Sequence, residues 1–145
     1  MVTCSKLYTD IPFAHRQHLH SGHCSRIHGH NWSVRLTFAC DALDPNGFVV
    51  DFGKLKYIKK YFDDKLDHCC VFSTQDPLAQ NIIDSAPEGI YKPYWVETAS
   101  CEGIAKKLLE DFSKLLREQE GSRAWISEIE LFEDHKNSVK LTADS

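Results

Sequence analysis

The chain has 145 residues, a mean length for one domain with its own core, and we expect a single domain spanning 1–145. Its net charge of −4 arises from mixed signs spread along the sequence, with no basic stripe that would track a phosphate backbone, so nucleic acid is a poor partner. No apolar run approaches the ~20 residues of a membrane-spanning helix, and Met1–Tyr8 lacks a signal-peptide core, which points to no membrane partner and a cytoplasmic location.

Leu7, Thr9, Ile11 and Phe13 alternate with Tyr8, Asp10 and Pro12, which predicts an opening strand that ends near Pro12 and delivers His15 to a loop. A histidine-rich stretch follows, F-A-H-R-Q-H-L-H-S-G-H-C-S-R-I-H-G-H-N-W, and runs into a second alternation from Asn31 to Phe38. Trp32, Val34, Leu36 and Phe38 form its apolar face, and His28 and His30 share their parity. Asp44–Gly47 reads as a turn, and Phe48–Val50 as a short strand completing a hairpin with the strand before it.

Asp51 is a candidate N-cap for an amphipathic helix with Phe52, Leu55, Ile58, Phe62 and Leu66 on its buried stripe, closing at Asp67 and His68. Periodicity then fails from Val71 to Glu97, where prolines punctuate polar residues, and a long connection with at most short local structure is expected. Thr98 or Ser100 caps a second helix whose stripe is Ile104, Ala105, Leu108, Leu109, Phe112 and Leu116, ending at Glu120 and Gly121. Ser127, Ile129, Leu131 and Glu133 share one face of a later strand, and Ser138–Leu141 offers a last one. This order favours α+β, an antiparallel sheet with two helices on one face.

His28 and His30 lie two apart in a strand and present two imidazoles to one ion while Gly29 faces away. His15 is the candidate third ligand, with His18, His20 and His23 competing for that place. Three protein ligands on zinc leave the fourth tetrahedral position open for water or substrate, which is the arrangement of a catalytic site. Cys24 is four residues before His28 and reads equally as a thiolate base or nucleophile, a fourth ligand that would close the site, or a bland loop residue. The six cysteines read as free thiols, Cys69 and Cys70 as two half-buried small residues.

Asp67 is mildly misplaced at a helix C-terminus, while His68 suits it, and a carboxylate beside an imidazole is the pairing of a general base. Glu133, aligned with apolar residues, must reach solvent or bind a partner, and a carboxylate there suits a planar pair of donors.

These residues, in order, resemble the 6-pyruvoyl-tetrahydropterin synthase and 6-carboxy-tetrahydropterin synthase family. The resemblance rests on A-H-R at Ala14–Arg16, C-x-x-x-H-G-H at Cys24–His30, G-x-x-x-D-F-x-x-L-K at Gly47–Lys56, L-D-H at Leu66–His68, S-x-E at Ser100–Glu102 and the strand carrying Glu133. It implies a T-fold (tunnelling fold) whose subunits join sheets into a barrel, a homo-oligomer, hexamer or related, with active sites at subunit interfaces, and a catalytic Zn2+. The implied zinc ligands are His15, His28 and His30, the catalytic residues Cys24, Asp67 and His68, and the pterin-anchoring residue Glu133. Arg16 and Arg26 are candidate triphosphate contacts.

The three residues between Cys24 and His28 are similar to the queuosine-pathway type of the family. That implies a lyase converting 7,8-dihydroneopterin triphosphate, its small-molecule partner, to 6-carboxy-5,6,7,8-tetrahydropterin with release of acetaldehyde and triphosphate. The alternative on the same fold is 6-pyruvoyl-tetrahydropterin synthesis by triphosphate elimination; a non-catalytic zinc-binding protein is more remote. Two positions depart from the pattern: Cys69 stands where relatives often carry another His, and Ala99 where a Thr is common.

Overall fold

In a computed structural model, which describes residues 1–143, the chain folds around one six-stranded sheet. Its elements are β1 (Thr3–His15), β2 (His28–Cys40), α1 (Lys56–Tyr61), β3 (Cys70–Ser73), α2 (Ala79–Asp84), β4 (Pro93–Val96), α3 (Cys101–Glu120), β5 (Ala124–Phe132) and β6 (Ser138–Thr142). The strand order is β4-β3-β1-β2-β5-β6.

The predicted antiparallel pairing holds for β1 with β2, β2 with β5, and β5 with β6. The sheet as a whole is mixed, because β3 lies parallel to β1 and β4 parallel to β3. Those two strands fall in the stretch expected to be a long connection. At four residues each they are too short to display a period, and all four residues of β3 are buried, so no alternation marks it. The expected strand at Phe48–Val50 does not form; Val49 and Val50 fold into the core as part of a loop, and Phe48 stays exposed.

β1 is longer than predicted and does not stop at Pro12: His15 is its last residue, not a loop residue. Its register against β2 slips between Tyr8 and Ile11, where three steps along β1 match two along β2. The extra residue is accommodated with Asp10 at φ +59°, and Asn31 Nδ2 donates to Asp10 Oδ1 at 3.0 Å. Parity therefore changes across the bulge. Tyr8 faces the core before it, whereas Ile11, Phe13 and His15 face the core after it, and Leu7 is left 45% exposed. A second slip lets β5 gain a residue between Ile126 and Glu128, so that Ala124 and Ile126 share a face with Ile129 and Leu131. Ser127, expected on that face, is the inserted residue, and its hydroxyl donates to Thr37 O.

The first helix is broken into three pieces. Asp51 does cap, accepting from Gly53 N, but it caps a single 3-10 turn at Phe52–Lys54. α1 follows, and the chain then widens into a π-turn at Phe62–Leu66. Phe52 is consequently exposed, and the buried stripe is Leu55, Ile58, Tyr61, Phe62 and Leu66. α3 matches its prediction: Ser100 Oγ accepts from Gly103 N at 3.1 Å, Leu109 is half-buried at the stripe's edge, and Gly121 ends the helix at φ +64°.

The two predicted helices cover one sheet face and meet each other through Phe112, whose ring centroid lies 4.9 Å from Tyr61 and 5.0 Å from Phe62. A third helix, α2, lies across the opposite face at the β3–β4 end, over Cys70 and Phe72, while Val71 between them joins the main core. Beneath the histidines, Trp32 is fully buried, stacks on Phe13 with centroids 4.4 Å apart, and donates its indole N–H to Phe13 O at 2.9 Å. Replacing Trp32 by Ala removes both the stack and the donor. We expect a loss of about 3–5 kcal/mol in urea-induced unfolding.

Candidate functional site

Strand register assembles the site. His15 is directly opposite His28 across the β1–β2 ladder, and His30 opposite Phe13, so all three imidazoles emerge on the core face at one end of the sheet. His15, flanked by β2 on one side and β3 on the other, is fully buried. Trp32 forms the floor, with its ring edge-on to those of His15 and His30 at 5.1 and 5.4 Å.

Hydrogen bonding fixes which nitrogens point inward. His15 Nδ1 donates to Ala99 O at 2.8 Å, and His28 Nδ1 donates to Arg26 O at 2.7 Å. A neutral imidazole that donates from Nδ1 keeps a lone pair on Nε2. The Nε2 atoms of His15 and His28 accordingly face each other at 3.2 Å. His30 Nε2 is buried without a hydrogen-bond partner. One ligand atom from each of the three residues lies within 4.8 Å of the others.

Three convergent nitrogens, one of them orphaned, fit a metal ion. The separation of His15 and His28 is close to the roughly 3.3 Å edge of a tetrahedron with Zn–N bonds of about 2.0–2.1 Å. Burial pushes the His15 imidazole down to about 4, the neighbouring His28 and His30 add to that, and the Ala99 carbonyl opposes it. The group is thus held neutral, the form that binds a metal. Carbonyls behind two of the rings hold tautomer and orientation, as outer partners do at histidine metal sites.

His18, His20 and His23 do not join the cluster. His20 turns into its own loop, where Nδ1 accepts from Gly22 N at 2.8 Å, and its ring lies 6.4 Å from that of His23. Glu133 follows the end of β5 and brings Oε1 to 3.4 Å from His30 Nε2 and 3.6 Å from His15 Nε2. Its carboxylate is half-buried at the mouth of the histidine cluster, beside the position an ion would take.

Cys24 is half-buried in a 3-10 turn, His23–Ser25, whose following residue Arg26 supplies the carbonyl behind His28. Arg16, a candidate triphosphate contact, is committed elsewhere: Nε donates to Asp76 Oδ2 at 2.8 Å and a terminal nitrogen to Ser25 O at 2.5 Å. A guanidinium turned inward onto a buried carboxylate is not free to meet phosphate. Arg26 has an exposed side chain.

Asp67 and His68 form the expected pair, with His68 Nδ1 hydrogen-bonded to Asp67 Oδ1 at 2.8 Å. His68 adopts φ +64°, its amide donates to Pro12 O at 2.8 Å, and Lys92 Nζ donates to Asp67 O at 2.8 Å. The pair makes no hydrogen bond to the histidine cluster, and the His68 side chain is 79% exposed. Within one chain neither Asp67 nor His68 belongs to the group of convergent ligand atoms formed by His15, His28 and His30. Cys69, Cys70 and Cys101 are governed by burial, which pushes their thiols up to about 12, 11 and 12 respectively, with Cys70 adding at Cys69 and Glu133 at Cys101. At neutral pH they are uncharged packing residues.

The sequence gives no sign of the carbonyls of Ala99 and Arg26, because any residue supplies a carbonyl. Nor does it flag Asp76, which stands before a proline in a segment with no periodicity.

Residues 5–144 match the sequence profile of the family described as 6-pyruvoyl tetrahydropterin synthase. A 6-carboxy-5,6,7,8-tetrahydropterin synthase from Rickettsia felis is 29% identical over 136 residues, covering 92% of this chain and 94% of the relative. Among solved structures, an uncharacterized protein from Wolinella succinogenes superposes with a TM-score of 0.81 at 19% identity, covering 99% of this chain and 98% of the other. The 6-pyruvoyl tetrahydropterin synthase of Caenorhabditis elegans does so with a TM-score of 0.67 at 20% identity, covering 99% and 96%. The fold is thus the one that the resemblance implied.

Two outcomes follow from this geometry. A Cβ at Gly103 would lie 1.9 Å from Thr98 O, so Gly103→Ala must displace the segment that carries the Ala99 carbonyl. The expected cost is about 1–3 kcal/mol in stability and about 10–100-fold in metal affinity, read by unfolding and by competition with a chelator. In the metal-free protein, a His15 held at about 4 makes the unfolded chain bind the extra proton between pH 6.5 and pH 4. Its contribution is fully present above 6.5 and is lost as pH falls through about 4, by roughly 3 kcal/mol. Urea unfolding of metal-free wild type at pH 7 and pH 4.5 should show that difference, and His15→Gln should reduce it.

Proposed function

Since the chain belongs to the 6-pyruvoyl tetrahydropterin synthase family, we propose that it is a zinc-dependent lyase. Its substrate is 7,8-dihydroneopterin triphosphate, and its products are 6-carboxy-5,6,7,8-tetrahydropterin, acetaldehyde and triphosphate. The observation that carries this reading is the cluster of three convergent imidazoles, two of them oriented by backbone carbonyls, with a carboxylate beside it.

His15, His28 and His30 would hold the metal through their inward nitrogens. A bound zinc ion supplies a Lewis acid that lowers the pKa of a side-chain hydroxyl and orients it. Glu133 faces the space before the cluster and presents two acceptor oxygens, which suit the paired N–H donors along the amino-pyrimidine edge of a pterin. Anchoring the ring there places the side chain of the substrate over the histidines. Cys24, in the turn tied to His28 by the Arg26 carbonyl, acts as the thiolate that accepts a proton from the substrate.

Asp67 holds His68 Nδ1 and leaves Nε2 free to receive or deliver a proton, the division of labour of a carboxylate–histidine pair. Because this pair is solvent-exposed and apart from its own cluster, we assign it to the site of a second copy of the chain. That assignment makes the protein a homo-oligomer with active sites between subunits. The C-x-x-x-H spacing and the likeness to the 6-carboxy-5,6,7,8-tetrahydropterin synthase of Rickettsia felis support the carboxy-forming reaction over the pyruvoyl-forming one. That reaction places the protein in queuosine-type 7-deazapurine synthesis.

The direct test is to incubate zinc-loaded protein with 7,8-dihydroneopterin triphosphate and weigh the pterin product. A 6-carboxy product with acetaldehyde supports the reading, and a 6-pyruvoyl product or no turnover overturns it. Cys24→Ala should keep its zinc and lose at least about 100-fold in kcat. Cys24→Ala and His68→Ala, each inactive alone, should regain part of the wild-type activity when co-assembled, since mixed oligomers contain interfaces where both residues are intact.

A further inference from the structure

The loop from Arg16 to Ile27 carries Cys24 and, through Arg26, the carbonyl behind His28, yet has no fully buried residue of its own. A segment with no core contacts is positioned by whatever hydrogen bonds hold it. Within the loop, Ser25 N and Oγ both return to Gly22 O, and Gln17 N reaches Cys24 O at a long 3.4 Å. Among the described residues, the one side chain from outside residues 17–26 that donates into turn 23–25 is Arg16, through its 2.5 Å bond to Ser25 O.

Arg16 is well placed for that task. It follows His15 directly, its amide donates to Val71 O at 3.1 Å, and strand alternation sends its side chain away from the face that His15 occupies. The guanidinium is 14% exposed, and the Asp76 side chain that it meets is fully buried. Asp76 is itself fixed: its amide donates to Ser73 O at 3.1 Å, and Oδ1 accepts from Leu78 N at 3.0 Å. A planar fork with donors in a rigid arrangement satisfies the carboxylate and the Ser25 carbonyl at once; an ammonium is a single point charge.

We propose that Arg16, braced by Asp76, is a positioning residue that sets the Cys24 thiol in register with the histidine cluster. The assignment of Cys24 as the proton-transfer thiol is the reading on which this rests. One strand end then carries both a metal ligand and the clamp for the thiol, so the two catalytic parts are tied to the same backbone.

The test compares zinc-loaded wild type with Arg16→Lys and Asp76→Asn, which keep a cation and an acceptor respectively. Three properties are measured: zinc content, kcat and KM for 7,8-dihydroneopterin triphosphate, and the rate of iodoacetamide alkylation at Cys24, mapped by mass. The expected result for Arg16→Lys is full zinc content and unchanged KM, with kcat lower by about 10–100-fold and the Cys24 alkylation rate changed several-fold. Asp76→Asn should move both readouts in the same direction. Unchanged kcat and unchanged alkylation in a folded, zinc-loaded Arg16→Lys would overturn the proposal, as would loss of zinc, since the residue would then act through His15. If Arg16→Lys does not fold, Asp76→Asn decides by the same criteria. Cys24→Ala is run alongside: retained turnover would remove the catalytic role of the thiol, while the alkylation rates still read the clamp on their own.

Discussion

Side chains on a strand alternate, so one inserted residue decides which of them face the core. β1 carries such an insertion between Tyr8 and Ile11, and β5 carries another at Ser127. Without the first, continuing inward parity from Tyr8 would lead to Ala14, and His15 would face outward. The second bulge keeps Ala124 and Ile126 in the core while Ile129, Leu131 and then Glu133 continue on the same face. The three-histidine cluster and its carboxylate neighbour therefore depend on two single-residue insertions, one of which holds Asp10 at a positive φ with its side chain accepting from Asn31 Nδ2.

Burial then sets the chemistry. His15 has no access to water, so its charged form is disfavoured, and the Ala99 carbonyl takes the Nδ1 proton that a neutral ring still carries. At His28 the Arg26 carbonyl likewise accepts from Nδ1 and orients the ring. Packing and tautomer are thus linked: the start of α3, capped by Ser100 and packed against Thr98 where only glycine fits at 103, is also the part of the chain that orients His15, a candidate metal ligand. The rigid strands hold the ligands, and the loop carrying Cys24 is held by polar contacts instead of a core.

Much of this was legible in the residues themselves. The parity shared by His28, His30, Trp32 and Val34 placed two ligands on a buried face, and α3 announced itself through Ser100, its apolar stripe and Gly121. The failures have particular causes. Bulges are invisible to a reading based on unbroken alternation, which puts Leu7 on one face with Ile11 and Phe13 and leaves His15 beyond the strand. The α1 region carries one apolar stripe, yet Phe52 and Leu66 lie in a 3-10 turn and a π-turn, where the 3.6-residue period does not apply. β3 and β4 are parallel and only four residues long, and β3 is buried throughout, which leaves too little alternation and no hairpin turn to reveal them. Arg16 looked like a free cation because its partner, Asp76, is sixty positions away.

The proposed function requires an open metal site made by three imidazoles, with Cys24 unbound. X-ray absorption at the zinc edge of the substrate-free, zinc-loaded protein measures this directly. The predicted first shell is three nitrogens and one further light atom, at about 2.0–2.1 Å. A zinc–sulfur distance of about 2.3 Å would contradict it, since Cys24 would then close the site and make it structural.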